Sequence, residues 1–492
     1  MSNADTIEVI NPRTGQVCAT VPACSHDNVM DAIANARTAQ PAWAAQSVSH
    51  RAQILMRIHD DIVAHRDELL DAIQLETGKN RASALDEVMD VINNARYYAR
   101  NAARLLKQTS AKGALPGLTK VTVERMPHGV VGIIAPWNYP LTLTLSDAFP
   151  ALVAGNAVVI KPDSRTPLSA LLGAHIMHTA GIPSDIFQVL PGSGAVVGQA
   201  ISHAADYVMF TGSTATGRKL AETAGQRLVG FSGELGGKNP MIVAADADIN
   251  KAVAGAINGC FSNSGQLCVS IERILVDHTI AEEFIDQLVA RVEKLKIGTG
   301  DWSEDIGSLI SPEHLEHVLA LVDDATSRGA RICTGGSRPD LGPSFLAPMV
   351  LADVPSDATL YREEVFGPVV YVEVTANETE AIAKANDSEY GLAASVFASP
   401  ETAYRIARQL DVGSVNINEG FAAAFGSVAA PMGGQKASGV GRRHGEAGLL
   451  KYTAEKTIAE QRVMPISGPR FLPRQVYANL MTTALRLGKR FL

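Results

Sequence analysis

The sequence predicts an α/β protein built on doubly wound, parallel sheets. Three observations carry this reading. Short apolar runs alternate with helical patterns between residues 129 and 225. A second alternation of the same kind runs from about residue 240 to 430. Strand and helix alternating at this spacing are satisfied by parallel strands whose crossover helices cover the sheet faces. The third observation is size: at roughly 150 residues per domain, a 492-residue chain suggests about three domains.

The elements follow in order. Residues 27–105 read as helix. The stretch from His50, HRAQILMRIHDDIVAHRDELLDAIQLETG, spaces apolar residues helically with charges between them. Gly78 is a stop signal, and a second long helical pattern covers 86–107. Ala111–Gly117, with Gly113, Pro116 and Gly117, reads as a loop, and LTKVTVERMP alternates as an exposed strand or hairpin does. Then come VVGIIAP (130–136) as a buried strand, a helix over 142–154, AVVIKP (157–162) as a second strand and a helix from about Pro167 to Ala180. FQVLPG (187–192) and YVMFTGS (207–213) are the third and fourth strands, each followed by a helix. Beyond residue 240, strands are expected at MIVAAD, RILVD, 369–374, 395–399 and 414–418, and helices near 249–262, 280–295, 313–328 and 377–387. Ligands of such sheets sit at the carboxyl ends of strands. That directs attention to Trp137 and Asn138, Lys161 to Ser164, Gly192 to Gly194, and Gly212 with Ser213.

Composition excludes several classes. Hydrophobic residues make up 46% and charged residues 19%, which is ordinary globular composition. With 43 Lys+Arg against 51 Asp+Glu the net charge is −8, whereas nucleic-acid binding needs a basic footprint. The most apolar stretch, GVVGIIAPWNYPLTLTL from Gly129, is broken by Pro136 and Pro140 and is short of a membrane span. MSNADTIEVINPRTGQV has neither the basic start nor the apolar run of a signal peptide. Cys18, Cys24, Cys260, Cys268 and Cys333 are few and widely spaced, with no CxxC pair. Neither a metal site nor a disulfide framework is indicated, and a cytoplasmic location is expected.

Which thiol could be a nucleophile? Cys268 lies in FSNSGQLCVS, among small and polar residues with Gly265 three before it. Structural cysteines usually sit among apolar residues, so a reactive thiol and an inert one both remain open here. Cys260 and Cys333 read as core fillers, and Cys18 and Cys24 as inert. Glu234, in SGELGGKNP, is flanked by glycines that permit close approach of a ligand, or else lies on a solvated loop. Asn138 in PWNYP can aim an amide N–H at a developing oxyanion, or can simply form the turn before a helix. FTGSTATG sets Gly212 and Gly217 between a strand and a helix, a context that can seat a phosphate without being the GxGxxG fingerprint. No histidine motif is tied to Cys268.

Taken together, GIIAPWNYP, VVIKPDSRTP, FTGSTATGRKLAETAG, GELGGKNPMIV, NSGQLCVS, EEVFGPVV, NDSEYGLAASVF and PMGGQKASGVGRRHG resemble the NAD(P)-dependent aldehyde dehydrogenase superfamily, across about residues 5–460. They occur in the family's order, and the 34-residue interval from Glu234 to Cys268 also matches. The resemblance implies an aldehyde dehydrogenase-like fold. Residues 1–116 and 129–236 would form a Rossmann-type cofactor domain and 237–430 an α/β catalytic domain. Residues 117–128 and 451–463 would form a β-hairpin oligomerisation element, and 464–492 a basic tail. It implies Cys268 as nucleophile, Asn138 with the Cys268 amide as oxyanion hole, and Glu234 as the base for hydrolysis. Lys161 and Glu364 would hold riboses, Ser213 and Trp137 would lie near the pyrophosphate, and Phe366 against the nicotinamide ribose. Lys238 would support the site. The implied reaction is oxidation of an aldehyde to a carboxylic acid with NAD(P), by a homodimer or homotetramer. Glu234 favours hydrolysis over transfer to coenzyme A, because relatives that make acyl-CoA commonly lack it.

Two departures from the family pattern matter. Where NAD-preferring relatives carry KPxE, this chain has Lys161-Pro162-Asp163-Ser164, which removes a charge that would repel a 2′-phosphate; NADP is expected to be preferred, with NAD possible. Where some succinate-semialdehyde dehydrogenases carry CxC, this chain has Ser270, so no local disulfide gating is expected. GQLCVSIERI, KPDS and the basic tail look like actinobacterial-type succinate-semialdehyde dehydrogenases; the alternative is a broad aliphatic or aromatic specificity. The loop Asn418–Ala430 is expected to shape the substrate entrance, and Arg273 to be a structural ion-pair partner. Val463–Leu492 holds five bases and no acid; LPRQVYANLMTTALRLGKRFL reads as an amphipathic helix packed on a partner subunit, with membrane-surface attachment as the other reading. A non-catalytic descendant of the fold is a further reading, opposed by the intact set Cys268, Glu234, Asn138 and Lys161.

Overall fold

A computed structural model describes residues 6–113, 119–298, 300–462 and 465–489. The helical N-terminal stretch divides into His26–Ala44, Val48–Ala64, Arg66–Thr77 and Arg81–Leu105. Ser25 and Ser47 cap the first two by accepting from the backbone amides of Asn28 and His50. Gly78 ends the third in left-handed backbone, φ 73°, as its position predicts.

The first large sheet has six strands in the order Gly439–Val440, Gly230–Glu234, Tyr207–Thr211, Val130–Ile134, Ala157–Lys161, Phe187–Val189. All but the first are parallel. Val130–Ile134 and Ala157–Lys161 are buried at every position, as continuous Val/Ile runs covered on both faces must be. The order reverses between Val130–Ile134 and Tyr207–Thr211, so a crevice opens beyond their carboxyl ends. Gly230–Glu234 was not foreseen as a strand, since GFSGE carries two glycines and little β-propensity. Pairing on both sides holds it in place.

The second sheet has seven strands in the order Arg331–Ser337, Leu346–Ala352, Val369–Thr375, Ile271–Asp277, Asn239–Val243, Ala393–Phe397, Ser414–Ile417. Only the edge strand Arg331–Ser337 runs antiparallel. That strand and its neighbour were not anticipated; Gly335 and Gly336 interrupt its pattern and shift its register. Cys333 lies on it half-buried, packed against the same core cluster that holds the buried Cys260, with its sulfur 3.2 Å from Arg331 Nη1.

A third sheet joins Thr453–Gln461, Thr119–Pro127 and Thr109–Ala111, all antiparallel. The exposed strand read in LTKVTVERMP therefore pairs with a segment near 451–463, as expected. Thr109–Ala111 is a strand where the loop reading began, and residues 114–118 and 463–464 lie outside the described residues. Thr453–Gln461 is an edge strand, exposed along most of its length. In the tail, Arg474–Gly488 is a helix with no buried residue, and Tyr477 Oη donates to the Ile466 carbonyl. Arg490 lies outside the described residues. Among the described residues no helix is long and apolar enough to cross a membrane.

Candidate active site

The segment Asn263–Cys268 explains why small polar residues surround Cys268. Asn263, Ser264 and Gly265 lie in succession at φ 50°, 56° and 70°, a left-handed run that side chains disfavour. A Cβ on Gly265 would fall 2.1 Å from the Gly367 carbonyl oxygen, so glycine is required there. The strained turn is held from outside. Ser83 Oγ accepts from Asn263 N at 3.0 Å, Ser264 Oγ donates to the Gly307 carbonyl at 3.0 Å, and Gln266 Oε1 accepts from Ile310 N at 2.9 Å. Asn239 Nδ2 donates to the Cys268 carbonyl at 2.8 Å. Cys268 itself is half-buried, and its own amide donates to no group among the described residues.

Asn138 follows the buried strand Val130–Ile134 and is itself buried. One amide hydrogen goes to the Gln266 carbonyl at 3.0 Å, which ties Asn138 to the Cys268 turn and leaves the second hydrogen for a ligand. Its carbonyl accepts from Lys79 Nζ at 2.7 Å and Asn263 Nδ2 at 3.1 Å. Glu234 ends the strand Gly230–Glu234, buried, with Oε2 lacking a hydrogen-bond partner. Burial pushes its carboxyl up to about 8 against the pull of Arg443 and Lys451. Burial likewise pushes the Cys268 thiol up to about 12, with Glu364 and Glu234 adding to the rise. Burial therefore disfavours the charged form of both groups.

These residues meet at the crevice foreseen from the strand order. A cavity of about 200 Å³ is lined by Trp137, Asn138, Gly212, Ser213, Glu234, Cys268, Glu364 and Phe366. Ser213 caps the helix Thr214–Arg227, its Oγ accepting from Thr216 N. Glu364 Oε1 accepts from Gly237 N at 2.8 Å, and burial beside Glu272 lifts its carboxyl to about 8. Phe366, at φ 55°, is fixed by both ends of its backbone: Glu272 accepts its N–H at 2.9 Å and His314 Nε2 lies 2.8 Å from its carbonyl. Trp137 lies edge-to-face against Phe366, centroids 5.4 Å apart. Lys238, fully buried, pairs with Glu272 at 2.8 Å.

Lys161 and Ser164 stand off this wall. Lys161 ends its strand, buried, and desolvation lowers its pKa while Asp163 opposes the shift. Ser164 Oγ donates to the Gly192 carbonyl at 2.9 Å. Asp163 is engaged by Arg165 at 3.0 Å, and the Arg165 guanidinium lies 5.0 Å from the Trp137 ring centre.

Arg273 departs from expectation. It donates to the carbonyls of Lys238, Lys384 and Ala385 at 2.8, 2.8 and 2.6 Å rather than to a carboxylate, so it is structural through backbone rather than through an ion pair. The loop Asn418–Ala430 reaches the site: Phe421 and Phe425 join Tyr139, Leu143 and Val269 in an apolar cluster touching Cys268. The sequence reading missed Lys79, Glu87, Asn263, Gln266, Glu272 and His314. Of these, Asn263 and Gln266 had a signal, since polar residues flank Cys268 in FSNSGQLCVS.

The family model described as "Aldehyde dehydrogenase family" matches residues 1–458. A Mycolicibacterium smegmatis protein named "Putative succinate-semialdehyde dehydrogenase [NADP(+)]" is 50% identical over 476 residues, 96% of this chain and 92% of that one. The crystal structure of an E. coli NADP dependent enzyme superposes with a TM-score of 0.90 at 36% identity, covering 94% of this chain and 96% of that one. The NAD+ complex structure of aldehyde dehydrogenase from Bacillus cereus gives 0.89 at 34% identity, covering 93% of each.

Proposed function

The chain belongs to the aldehyde dehydrogenase family, and on that premise we propose that it oxidises succinate semialdehyde to succinate, with NADP preferred and NAD accepted. The observation that carries the reading is the convergence of Cys268, Asn138 and Glu234 on one cavity. The name of the M. smegmatis relative supports the substrate and the cofactor.

Cys268 is the nucleophile. Its thiol must lose a proton to attack the aldehyde carbon; ionised Glu234 is the group placed to receive that proton, and it passes it to solvent before the hydrolysis step. The oxyanion of the resulting thiohemiacetal is held by the second Asn138 amide hydrogen and the Cys268 N–H, worth roughly 3–4 kcal/mol per donor in comparable sites. NADP, when bound, supplies the hydride acceptor. Cys268 is left carrying a thioester, and Glu234 takes a proton from the water that releases the acid. The donor set fits a dinucleotide: a capped helix start at Ser213, the Glu364 carboxyl beside Gly236 and Gly237, and Lys161 two strands away. Lys238 keeps Phe366 in place through Glu272.

Two features support the 2′-phosphate. The adjacent Asp163 is neutralised by Arg165, and Ser164 puts a neutral hydroxyl, donating to the Gly192 carbonyl, where a glutamate would repel. The apolar cluster of Phe421, Phe425, Tyr139 and Leu143 favours the second reading, a broad aliphatic or aromatic specificity.

The proposed organisation is a cofactor domain of 1–116 and 129–236, a catalytic domain of 237–430, an oligomerisation element of 117–128 and 451–463, and a basic tail of 464–492. The exposed edge Thr453–Gln461 supports assembly as a homodimer or homotetramer, with the cytoplasm as the compartment. The test is initial-rate measurement with succinate semialdehyde, hexanal and benzaldehyde, each with NAD and NADP. Highest kcat/KM for succinate semialdehyde with NADP is expected; faster turnover of hexanal or benzaldehyde would reject the substrate.

A further inference from the structure

Behind Glu234 lies a buried ion pair that the reaction above does not use. Arg443 Nε donates to Asp147 Oδ1 at 3.1 Å, and both side chains are 4% exposed. Asp147 comes from the helix Thr142–Ala154, and Arg443 from the turn before the helix Gly445–Leu450. The backbone brings Arg443 to the base. Arg443 and Met432 exchange two hydrogen bonds, 2.7 and 2.8 Å, and the next residue, Gly433, is the surface on which Glu234 rests. A Cβ on Gly433 would stand 2.9 Å from Glu234 Oε1. The strand Gly439–Val440, which leads into Arg443, pairs with Glu234 itself.

The accounting of polar atoms points the same way. Asp147 Oδ2 and Glu234 Oε2 are both buried without a hydrogen-bond partner among the described residues. Asp90, Asp147 and Glu234 bring three carboxyls to one guanidinium in a buried cluster, and burial favours the protonated form of Glu234. Ionising Glu234, as thioester hydrolysis requires, depends on the cation that faces all three. The other titratable groups facing Glu234 are Arg442, Lys451 and, across the cavity, the Cys268 thiol. The Arg442 head is engaged by the carbonyls of Gly434 and Gly441, and Lys451 Nζ lies 3.3 Å from Met209 Sδ. His444, buried beside Arg443, is pushed down to about 3 and stays neutral. Arg443 heads the groups drawing the Glu234 carboxyl back toward ionisation.

We propose that Arg443, anchored by Asp147, is a positioning residue for Glu234 that steadies its carboxylate and sets the pH above which the Cys268 thioester is hydrolysed. The proposal rests on the reading of Glu234 as the hydrolytic base.

The experiment follows acyl-enzyme decay directly. Enzyme with NADP is mixed with limiting succinate semialdehyde, quenched in acid at intervals, and the fraction of protein carrying the acyl mass is read across pH 6–10. Arg443→Gln should slow decay at pH 7 by about tenfold and move the midpoint of the pH profile up by about one unit, since each unit removes about nine-tenths of the carboxylate. Arg443→Lys should recover most of the midpoint. The double variant Asp147→Asn/Arg443→Gln removes both charges of the pair and separates the roles. A midpoint raised above that of Asp147→Asn alone supports Arg443 acting on Glu234; a midpoint equal to that of Asp147→Asn overturns it and leaves Arg443 as the partner of Asp147 alone. Should the single variant fail to fold, the double variant carries the same decision. Glu234→Gln is the control for the underlying reading. Wild-type decay in that variant would remove Glu234 as base, whereas a lost decay with an unmoved Arg443→Gln midpoint would overturn only the present proposal.

Discussion

Lys79 is the most consequential residue that no motif announces, and replacing it with methionine tests why. Its ammonium is 1% exposed, 2.6 Å from Glu87 Oε1, 2.7 Å from the Asn138 carbonyl and 4.1 Å from the Tyr139 ring centre. Methionine keeps the volume and removes the charge. Glu87, 0% exposed, then retains only the Leu141 and Thr142 amides on Oε2, at 3.0 and 3.3 Å. Removing one partner of a buried pair costs about 3–5 kcal/mol, because the other charge is left uncompensated. Glu87→Gln should cost a similar amount. The double variant removes both charges and leaves mainly lost hydrogen bonds, about 1–3 kcal/mol. The two losses should therefore fall short of additivity by about 3 kcal/mol or more, read from urea unfolding of all four proteins. Activity should fall as well, because Asn138 loses the anchor that aims its amide; complete loss of that donor corresponds to about 10²–10³ in kcat. A Lys79→Met cost below about 1 kcal/mol, or additivity within about 0.5 kcal/mol, would refute the reasoning.

The remaining predictions concern the turn, Glu234, Ser164 and Cys268. Gly265→Ala places a Cβ 2.1 Å from the Gly367 carbonyl at φ 70°, and should cost stability in urea and most of kcat; wild-type values for both would contradict the reading of that turn. Burial raises the Glu234 carboxyl to about 8, so the folded state holds that proton more tightly than the unfolded chain. Its stability contribution is full below about pH 4 and is lost as pH rises through about 8. Urea midpoints of Glu234→Gln should accordingly decline less than wild type between pH 5 and 9. Ser164→Glu should lower the NADP-to-NAD ratio of kcat/KM, and an unchanged ratio would remove Ser164 from cofactor choice. Ser270 stands two residues after Cys268 and gives its hydroxyl to the Gly259 and Cys260 carbonyls, so peptide mapping after peroxide treatment should find no intrachain disulfide at Cys268.

The legible parts of the fold were those fixed locally. Val130–Ile134 and Ala157–Lys161 are short β-branched runs between turn signals, and the helix Thr142–Ala154 falls where its pattern begins and ends. The crevice was legible too, because the residues that follow the parallel strands converge wherever the strand order reverses. Gly230–Glu234 was not, since its extended form comes from Tyr207–Thr211 and Gly439–Val440 rather than from its own composition. Glu234 itself shows the limit most clearly. A glutamate among glycines has no burial signal, yet strand pairing carries it into the interior and raises its carboxyl to about 8.

The supporting residues were illegible for a single physical reason: they hold backbone, not side chains. Glu87 accepts from the successive amides of Leu141 and Thr142 beyond Asn138, and Glu272 from those of Val365 and Phe366. Glu76 does the same at Leu168 and Ser169, where the helix after Ser164 begins. Each glutamate clamps backbone at or within five residues of a site residue, and two of the three are charge-balanced by a buried lysine, Lys79 or Lys238. Peptide amides are the same at every position, so nothing in the clamped segments specifies the clamp, and the glutamates come from helix or strand patterns that look ordinary. The arrangement has a consequence for variation. Side chains facing the cavity can change without unfastening the loops that carry them, whereas an acid-to-amide change at Glu87 or Glu272 loosens a loop whose own sequence is intact.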